Sequence, residues 1–171
     1  MIEDIKKMMT ECPDLTRDHI HDETINREIL SWSYLSNICD LLVQKNGATA
    51  LSMGLRSYCA YQRRDMKPSL DLVEKARNQF SSDTYLVGLH AFLLMKSGRD
   101  EEAKALFQLP QAKENRLVWT VHGDVCEKQK DWACADESWH GLLTRDEKNL
   151  EAMRGMAVLS LNTGKRDMAS D

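Results

Sequence analysis

Residues 116–149 read RLVWTVHGDVCEKQKDWACADESWHGLLTRDEKN, with a small residue in the middle of each half. The same twelve-residue offset between small residues occurs three times in the chain: Ala91 with Ala103, Gly123 with Ala135, and Ala157 with Ala169. Successive pairs start 32 and 34 positions apart. A period of this length is typical of stacked helical hairpins, in which each unit covers its apolar face only by packing on its neighbours.

The repeat frame extends on both sides of these pairs. Counting back seven positions places hairpin starts near Thr84, Arg116 and Leu150, and a fainter copy starts near Ala50 with Ser57 and Ser69 at the small positions. The hairpin at residues 116–149 has its landmarks at positions 4, 8, 20 and 24: Trp119, Gly123, Ala135 and Trp139. This hairpin resembles the tetratricopeptide repeat (TPR), whose consensus is W-x2-L-G-x2-Y, then A-x3-F, then P. Three positions depart from that consensus: His122, Cys126 and Glu147.

The resemblance implies an all-α fold, a right-handed superhelical stack of antiparallel helical hairpins (a TPR-like α-solenoid) with an N-terminal helical extension. We expect the extension at residues 1–46 and the TPR-like domain at 47–171, with hairpins near 50–83, 84–115 and 116–149 and a partial hairpin at 150–171. Apolar periodicity predicts helices at 24–45, 48–63, 67–80, 83–97, 100–108, 115–129, 132–144 and 149–163. Gly98 and Gly164 are expected at helix C-termini with positive φ.

Composition narrows the classes of partner and compartment. The formal net charge of -4 gives no general attraction for phosphate backbones, so we expect no nucleic-acid partner. No apolar run reaches the ~18 residues that a membrane span needs, and the charged start has no signal core behind it. We therefore predict a cytoplasmic protein without membrane insertion. The five cysteines are odd in number and lack C-x-x-C spacing, which predicts unpaired thiols inside helices.

The resemblance also implies where a partner binds, because the first helix of each TPR hairpin lines a concave groove with its positions 2, 5, 9 and 12. The predicted partner-binding residues are Tyr58, Tyr61, Tyr85, Phe92, Met95, Asp124 and Glu127. The first half of this groove is aromatic and expected to be open beside Gly54 and Gly88, and the second half is acidic. Such a groove suits an extended or helical segment with apolar anchors and a basic end. The alternative, that several of the aromatic residues belong to the core, stays open.

These features predict a non-catalytic protein-protein interaction module, an adaptor or chaperone-like binder of a segment of another protein. The layout is similar to small cytosolic TPR chaperones of bacterial secretion systems. The Lys, Asn and Arg side chains that grip the C-terminal peptides of cytosolic chaperones are missing, since the groove positions hold residues such as Gly54, Tyr58 and Asp124. The alternative function is a structural subunit of a stable multiprotein assembly.

The two ends of the chain leave further alternatives open. The helix at 24–45 carries apolar residues around much of its circumference, so it either caps the first hairpin or forms a homodimer. The helix at 150–163 presents Met153, Met156, Leu159 and Leu161, although terminal repeats usually have a polar outer face. Either the chain is a fragment of a longer repeat protein, or a partner completes the stack.

No set of residues predicts catalysis, a cofactor or a metal site. His19 and His21 form an H-x-H pair without a third ligand at a defined spacing, which is typical of a solvated loop. A zinc site in the third hairpin needs four residues to converge: His122, Cys126, Cys134 and His140. Cys134 and His140 flank the inward-facing positions of their helix, and we expect them to point elsewhere.

Overall fold

The computed structural model describes residues 25–164, without the side chains of 25–31, 42 and 46. The H-x-H pair and Ala169 lie outside the described residues. Within 25–164 the chain forms eight α-helices: α1 (Ile25–Asn46), α2 (Ala50–Gln62), α3 (Met66–Gln79), α4 (Thr84–Lys96), α5 (Asp100–Ala105), α6 (Arg116–Lys128), α7 (Trp132–Arg145) and α8 (Leu150–Thr163). No strand occurs in this part of the chain, which confirms the predicted all-α class.

The helices stack in the order that the repeat frame predicts. Antiparallel hairpins are formed by α2 with α3, α4 with α5, and α6 with α7, while α8 packs on α7. The first helices of successive hairpins also contact each other, α2 with α4, α4 with α6, and α6 with α8. The chain is therefore a TPR-like α-solenoid, and α1 packs on its first helix.

In the second and third hairpins, the small residues at positions 8 and 20 are buried where the two helices approach, whereas Ala157, at position 8 of the last repeat, is exposed. Ala91, Ala103, Gly123 and Ala135 all lie in the core. In the faint first hairpin, Ser57 Oγ donates to the carbonyl of Ser69 at 2.8 Å, and Ser69 Oγ donates to the carbonyl of Ser57 at 2.7 Å. Buried hydroxyl groups need partners, and here each serine supplies the other's partner while keeping the helices close.

Each of the helices α2, α4, α6 and α8 is followed by one residue in the left-handed region, at position 15 of its repeat. The four are Arg64 (φ 67°), Gly98 (φ 80°), Lys130 (φ 59°) and Gly164 (φ 73°). Glycine adopts this conformation without a steric penalty, and the two predicted glycines are confirmed. Arg64 and Lys130 are not recognisable from residue type, because only their place in the repeat marks them.

The second helix of the middle hairpin is shorter than predicted. The expected helix at 100–108 is α-helical only to Ala105, and 3-10 turns follow at Leu106–Gln108 and Pro110–Glu114. Pro110 has no N–H and disfavours helical backbone at the residue before it, and Leu109 is extended at φ -70° and ψ 138°. Phe107 is still buried, so the repeat position keeps its packing role.

The expectation of unpaired cysteines is wrong for Cys126 and Cys134, which form a disulfide. Cys126 lies near the end of α6 and Cys134 in the first turn of α7, so the hairpin turn brings their Cα atoms to 5.7 Å, within the range of a disulfide. Their separation of eight residues matches no short cysteine motif. Cys39 and Cys59 are free, and burial raises the pKa of their thiols to about 11 and about 12.

Candidate functional site

Two of the predicted groove aromatics, Tyr58 and Phe92, are core residues that are only 6% and 5% exposed. Trp32 of α1 meets the Tyr58 ring edge-on with centroids 5.6 Å apart, and Tyr61 meets the Phe92 ring in the same way at 5.3 Å. The side-chain amide of Gln62 donates to the Tyr58 hydroxyl, and burial raises the pKa of that hydroxyl to about 12. Tyr58 and Phe92 thus present little surface to a partner in this structure.

Tyr61 and Met95 lie at the border between this aromatic core and solvent. Both are half-buried and pack against the core cluster that contains Tyr58 and Phe92. Lys96 places its ammonium 5.4 Å from the centroid of the Phe92 ring, within the range of a cation–π contact. The rim of the aromatic region therefore combines apolar surface with one positive charge.

The exposed apolar surface of this face lies at position 2 of the first helices. Tyr85 is 37% exposed and Leu51 is 46% exposed, and Leu117 occupies the same position of α6 and is half-buried. Because α2, α4 and α6 contact each other in sequence, these three residues follow one face of the stack, and we name them the groove ridge. Of the three, only Tyr85 was predicted as a site residue. Position 2 of the repeat is the signal that identifies Leu51 and Leu117.

The open space predicted at Gly54 and Gly88 is not present. A Cβ at Gly54 would collide with the ring of Tyr85, and a Cβ at Gly88 would come within 2.7 Å of the Asn115 amide. The Asn115 amide also donates to the carbonyl of Thr84 at 2.6 Å. Both glycines are therefore packing positions, since neighbouring side chains fill the space that the glycines leave.

The acidic half of the groove is organised by a cation from the next hairpin. Arg154 of α8 contacts Asp124 Oδ1 at 3.0 Å, Glu127 Oε2 at 3.5 Å and Glu151 Oε2 at 3.6 Å. Arg154 occupies position 5 of its helix, and its charge is balanced by three carboxylates.

Glu127 has a second, structural role. Its Oε1 accepts a hydrogen bond of 2.8 Å from the indole N–H of Trp139. Burial raises the pKa of Glu127, while Arg154 and this hydrogen bond oppose the rise. The side chains of Asp124 and Glu127 are 17% and 14% exposed, so a partner can reach only their edges.

A second group of candidate functional side chains lies inside the third hairpin. Donor atoms of His122, Cys126 and Cys134 lie within 4.8 Å of one another. The expectation that Cys134 points elsewhere is wrong, because the start of α7 turns this side chain towards α6. His140 does not join the group, since it is exposed and its Nδ1 lies 3.2 Å from a carboxylate oxygen of Asp136. Three of the four candidate zinc ligands therefore converge.

Comparisons with known proteins give the fold but no closer relative. No protein-family model matches the chain, and no curated protein matches it. The structure is similar to the crystal structure of a tetratricopeptide repeat protein from Parabacteroides merdae ATCC 43184, with a TM-score of 0.66 and 14% sequence identity. The match covers 86% of this chain and 63% of the other chain, so this chain corresponds to about two thirds of that protein's length. None of the described helices is long and apolar enough to span a membrane.

Proposed function

We propose that this protein is a non-catalytic protein-protein interaction module that binds a segment of a partner along the face lined by α2, α4, α6 and α8. The observation that carries the proposal is the groove ridge, in which Leu51 and Tyr85 stay exposed on a face whose other aromatic residues are packed. Aromatic side chains are favoured anchors at protein interfaces. Burial raises the pKa of the Tyr85 hydroxyl, so the surface that this residue offers is its ring rather than its polar tip. The protein acts in this proposal as an adaptor or a chaperone-like binder.

The partner segment has apolar side chains that contact the ridge and the half-buried Tyr61 and Met95. Tyr58 and Phe92 support this surface from below. A basic end of the segment lies beside the acidic positions Asp124 and Glu127, which contact Arg154 of α8. Charge complementarity of this kind sets register and orientation more than affinity.

We propose proteins rather than nucleic acids as partners, because the net charge is -4, and we propose a cytoplasmic location. The cytoplasm keeps most cysteines reduced. In that compartment the Cys126–Cys134 bond meets dithiol reductants.

Site-specific photo-crosslinking tests the groove proposal. A photo-reactive amino acid at position 85 in the intact chain, irradiated in cells, should capture a discrete partner that the same residue at Lys75, exposed on α3, does not capture. Once the partner is identified, Tyr85→Ala should weaken its binding by about 30-fold, the effect of losing a 2 kcal/mol anchor. Equal capture from both positions, or unchanged affinity of Tyr85→Ala, would contradict the proposal.

A second candidate function, a subunit of a stable assembly, is favoured by apolar side chains exposed on the two outer helices. Tyr34 and Leu41 of α1 are exposed, and so are three residues of α8: Leu150, Met153 and Leu161. The α1 pair lies within residues 24–45, which we propose as the surface of a homodimer. Light scattering of the purified protein distinguishes the candidates. A dimer that dissociates in the double variant Tyr34→Lys/Leu41→Lys supports self-association, and a monomer at all concentrations contradicts it.

A further inference from the structure

The strongest unexplained cluster of reactive side chains is the group of His122, Cys126 and Cys134 between α6 and α7. His122 Nε2 lies 3.6 Å from Cys134 Sγ. Zinc bonds of about 2.3 Å to sulfur and about 2.0 Å to nitrogen at a tetrahedral angle place the two donor atoms about 3.6 Å apart. Cys134 Sγ is also 3.9 Å from His122 Nδ1, whereas a sulfur that shares a zinc ion with Nε2 lies about 5 Å from Nδ1. The sulfur is therefore close enough to Nε2 for a shared ion, and the Cys134 side chain has to rotate towards the Nε2 lone pair once the disulfide is opened.

The imidazole of His122 is held in the tautomer that a metal ligand needs. Ser138 Oγ lies 2.7 Å from His122 Nδ1 and donates its one proton to the carbonyl of Cys134 at 3.0 Å. Ser138 Oγ therefore accepts from Nδ1–H, which leaves the lone pair on Nε2, the nitrogen nearer to Cys134. Metal-binding histidines are oriented in this way by an outer hydrogen bond on the other nitrogen.

Packing fixes the plane of the same ring. Phe107 stacks on His122 with centroids 3.8 Å apart and an interplanar angle of 11°. His122 and Cys126 are buried, whereas Cys134 is half-buried. The cluster is thus preorganised on its inner side and opens to solvent at Cys134, where an ion can enter and where water can supply a fourth ligand.

We propose that reduction of the Cys126–Cys134 disulfide creates a zinc site formed by the two thiolates and Nε2 of His122. This site is separate from the groove ridge and goes beyond the proposed function. Two thiolates and one imidazole are a ligand set that zinc favours among the divalent ions of the cell. Their two negative charges balance the dication, and the nearby Lys104 is already paired with Asp131 at 3.3 Å.

Formation of the zinc site requires reduction of the disulfide and then loss of two protons. A dithiol reductant transfers two electrons and two protons to the disulfide, closes its own disulfide, and leaves Cys126 and Cys134 as thiols. Zinc then binds the two sulfurs, and both thiol protons pass to solvent. Oxidation and zinc binding exclude each other, because both use the same sulfur atoms.

The test uses the full chain, reduced with a water-soluble phosphine and desalted without oxygen. Cobalt(II) should give the absorption of a tetrahedral thiolate complex, and one equivalent of zinc should displace it. The oxidised protein should give no such signal. Competition with a chromophoric chelator measures zinc affinity, and circular dichroism follows folding.

Variants separate this site from adventitious binding. Cys134→Ser should reduce zinc affinity by more than the roughly 10- to 100-fold that an outer-shell change costs, and Ser138→Ala should fall within that range. The controls His140→Gln and His19→Gln/His21→Gln should keep the affinity of the parent. Zinc that restores the helical signal of a reduced chain unfolded without metal also supports the site.

Several results would overturn the proposal. Reduced protein that binds no zinc, whether folded or unfolded, would do so. Affinity unchanged by Cys134→Ser, equal binding by the oxidised protein, or a disulfide that the phosphine cannot reduce in the folded chain would also exclude the site. None of these results bears on the groove, because the crosslinking test uses different residues.

Discussion

The indole ring of Trp139 packs so closely on Gly123 that a Cβ there would come within 2.5, 2.6 and 2.7 Å of three ring carbons. The same ring contacts Gly155 of α8 and donates to Glu127. Trp139 therefore joins three helices, and it is fully buried. This contact explains why the repeat needs a small residue at position 8 and an aromatic residue at position 24.

Enlarging a small residue should destabilise the third hairpin, where that residue is buried, but not the last repeat, where it is exposed. Ala135→Leu should lower the free energy of unfolding by about 1 to 3 kcal/mol, because added methyl groups overpack a closed helix contact. Ala157 occupies position 8 of the last repeat but is exposed. Ala157→Leu is thus a matched control, and its stability should stay within about 0.5 kcal/mol of the parent. Denaturant titrations of both variants measure the difference, and equal losses would mean that the repeat frame does not describe the packing.

Much of the fold could be predicted from the sequence because repeat packing is local and periodic. The twelve-residue offset between small residues identifies the helix pairs, and the predicted ends of α2, α6 and α8 agree with the structure within two residues. Residue type does not show that Arg64 and Lys130 adopt the left-handed conformation, since neither type favours it; only position 15 of the repeat marks them.

The candidate site was less predictable because it depends on contacts between distant parts of the chain. Repeat position places Tyr58 in a groove, but Trp32 from α1 covers it. Gly54 suggests open space, but the ring of Tyr85 occupies it. Arg154 pairs with carboxylates of α6 that lie about thirty positions earlier. Such contacts follow from the three-dimensional stack rather than from any local pattern.

At position 15 of the repeat, exchanging lysine for glycine and glycine for lysine should change the stability of the protein in opposite directions. Lys130→Gly should stabilise the protein by about 1 kcal/mol, because a side chain in the left-handed region costs about that much. Gly98→Lys places a side chain at φ 80° and should destabilise by a similar amount. Thermal unfolding of the two variants measures the pair. A loss of stability in Lys130→Gly would show that the lysine side chain contributes more than its backbone costs.

We expect the protein to lose stability in mild acid because of His90. Burial, followed by the charges of Arg77 and Arg99, lowers the pKa of His90 to about 4, while Glu102 acts in the opposite direction. Arg77 Nη1 lies 2.8 Å from His90 Nδ1, and Glu74 Oε1 lies 3.7 Å from Nε2. The folded state therefore keeps this imidazole neutral in mild acid.

The sign of the effect follows from proton uptake. Below pH 6.5 the unfolded chain binds a proton at His90 that the folded chain does not, so stability present above pH 6.5 is lost as the pH falls to about 4. The loss amounts to about 3 kcal/mol. Burial also lowers the pKa of His122 to about 4, so His122 adds to the loss of stability over the same pH range. The free energy of unfolding, measured against pH for the parent and for His90→Gln, isolates the contribution of His90. Parallel curves for the two proteins would contradict the prediction.

Stability and partner affinity should respond differently to truncation of the core aromatic residues and of the exposed Tyr85. Tyr58→Ala and Phe92→Ala should each lower the free energy of unfolding by about 3 to 5 kcal/mol, the cost of removing a buried aromatic ring. Tyr85→Ala removes a ring that is 37% exposed but also packs on Gly54, so it should cost less than either core variant, about 2 kcal/mol. For partner affinity the order reverses: Tyr85→Ala loses about 30-fold, and Tyr85→Phe, which keeps the ring, serves as the control for the hydroxyl. Paired titrations of denaturation and partner binding measure both quantities under one buffer condition. If Tyr58→Ala and Phe92→Ala unfold at the parent's denaturant midpoint yet bind poorly, the two rings contact the partner and the packed arrangement opens on binding.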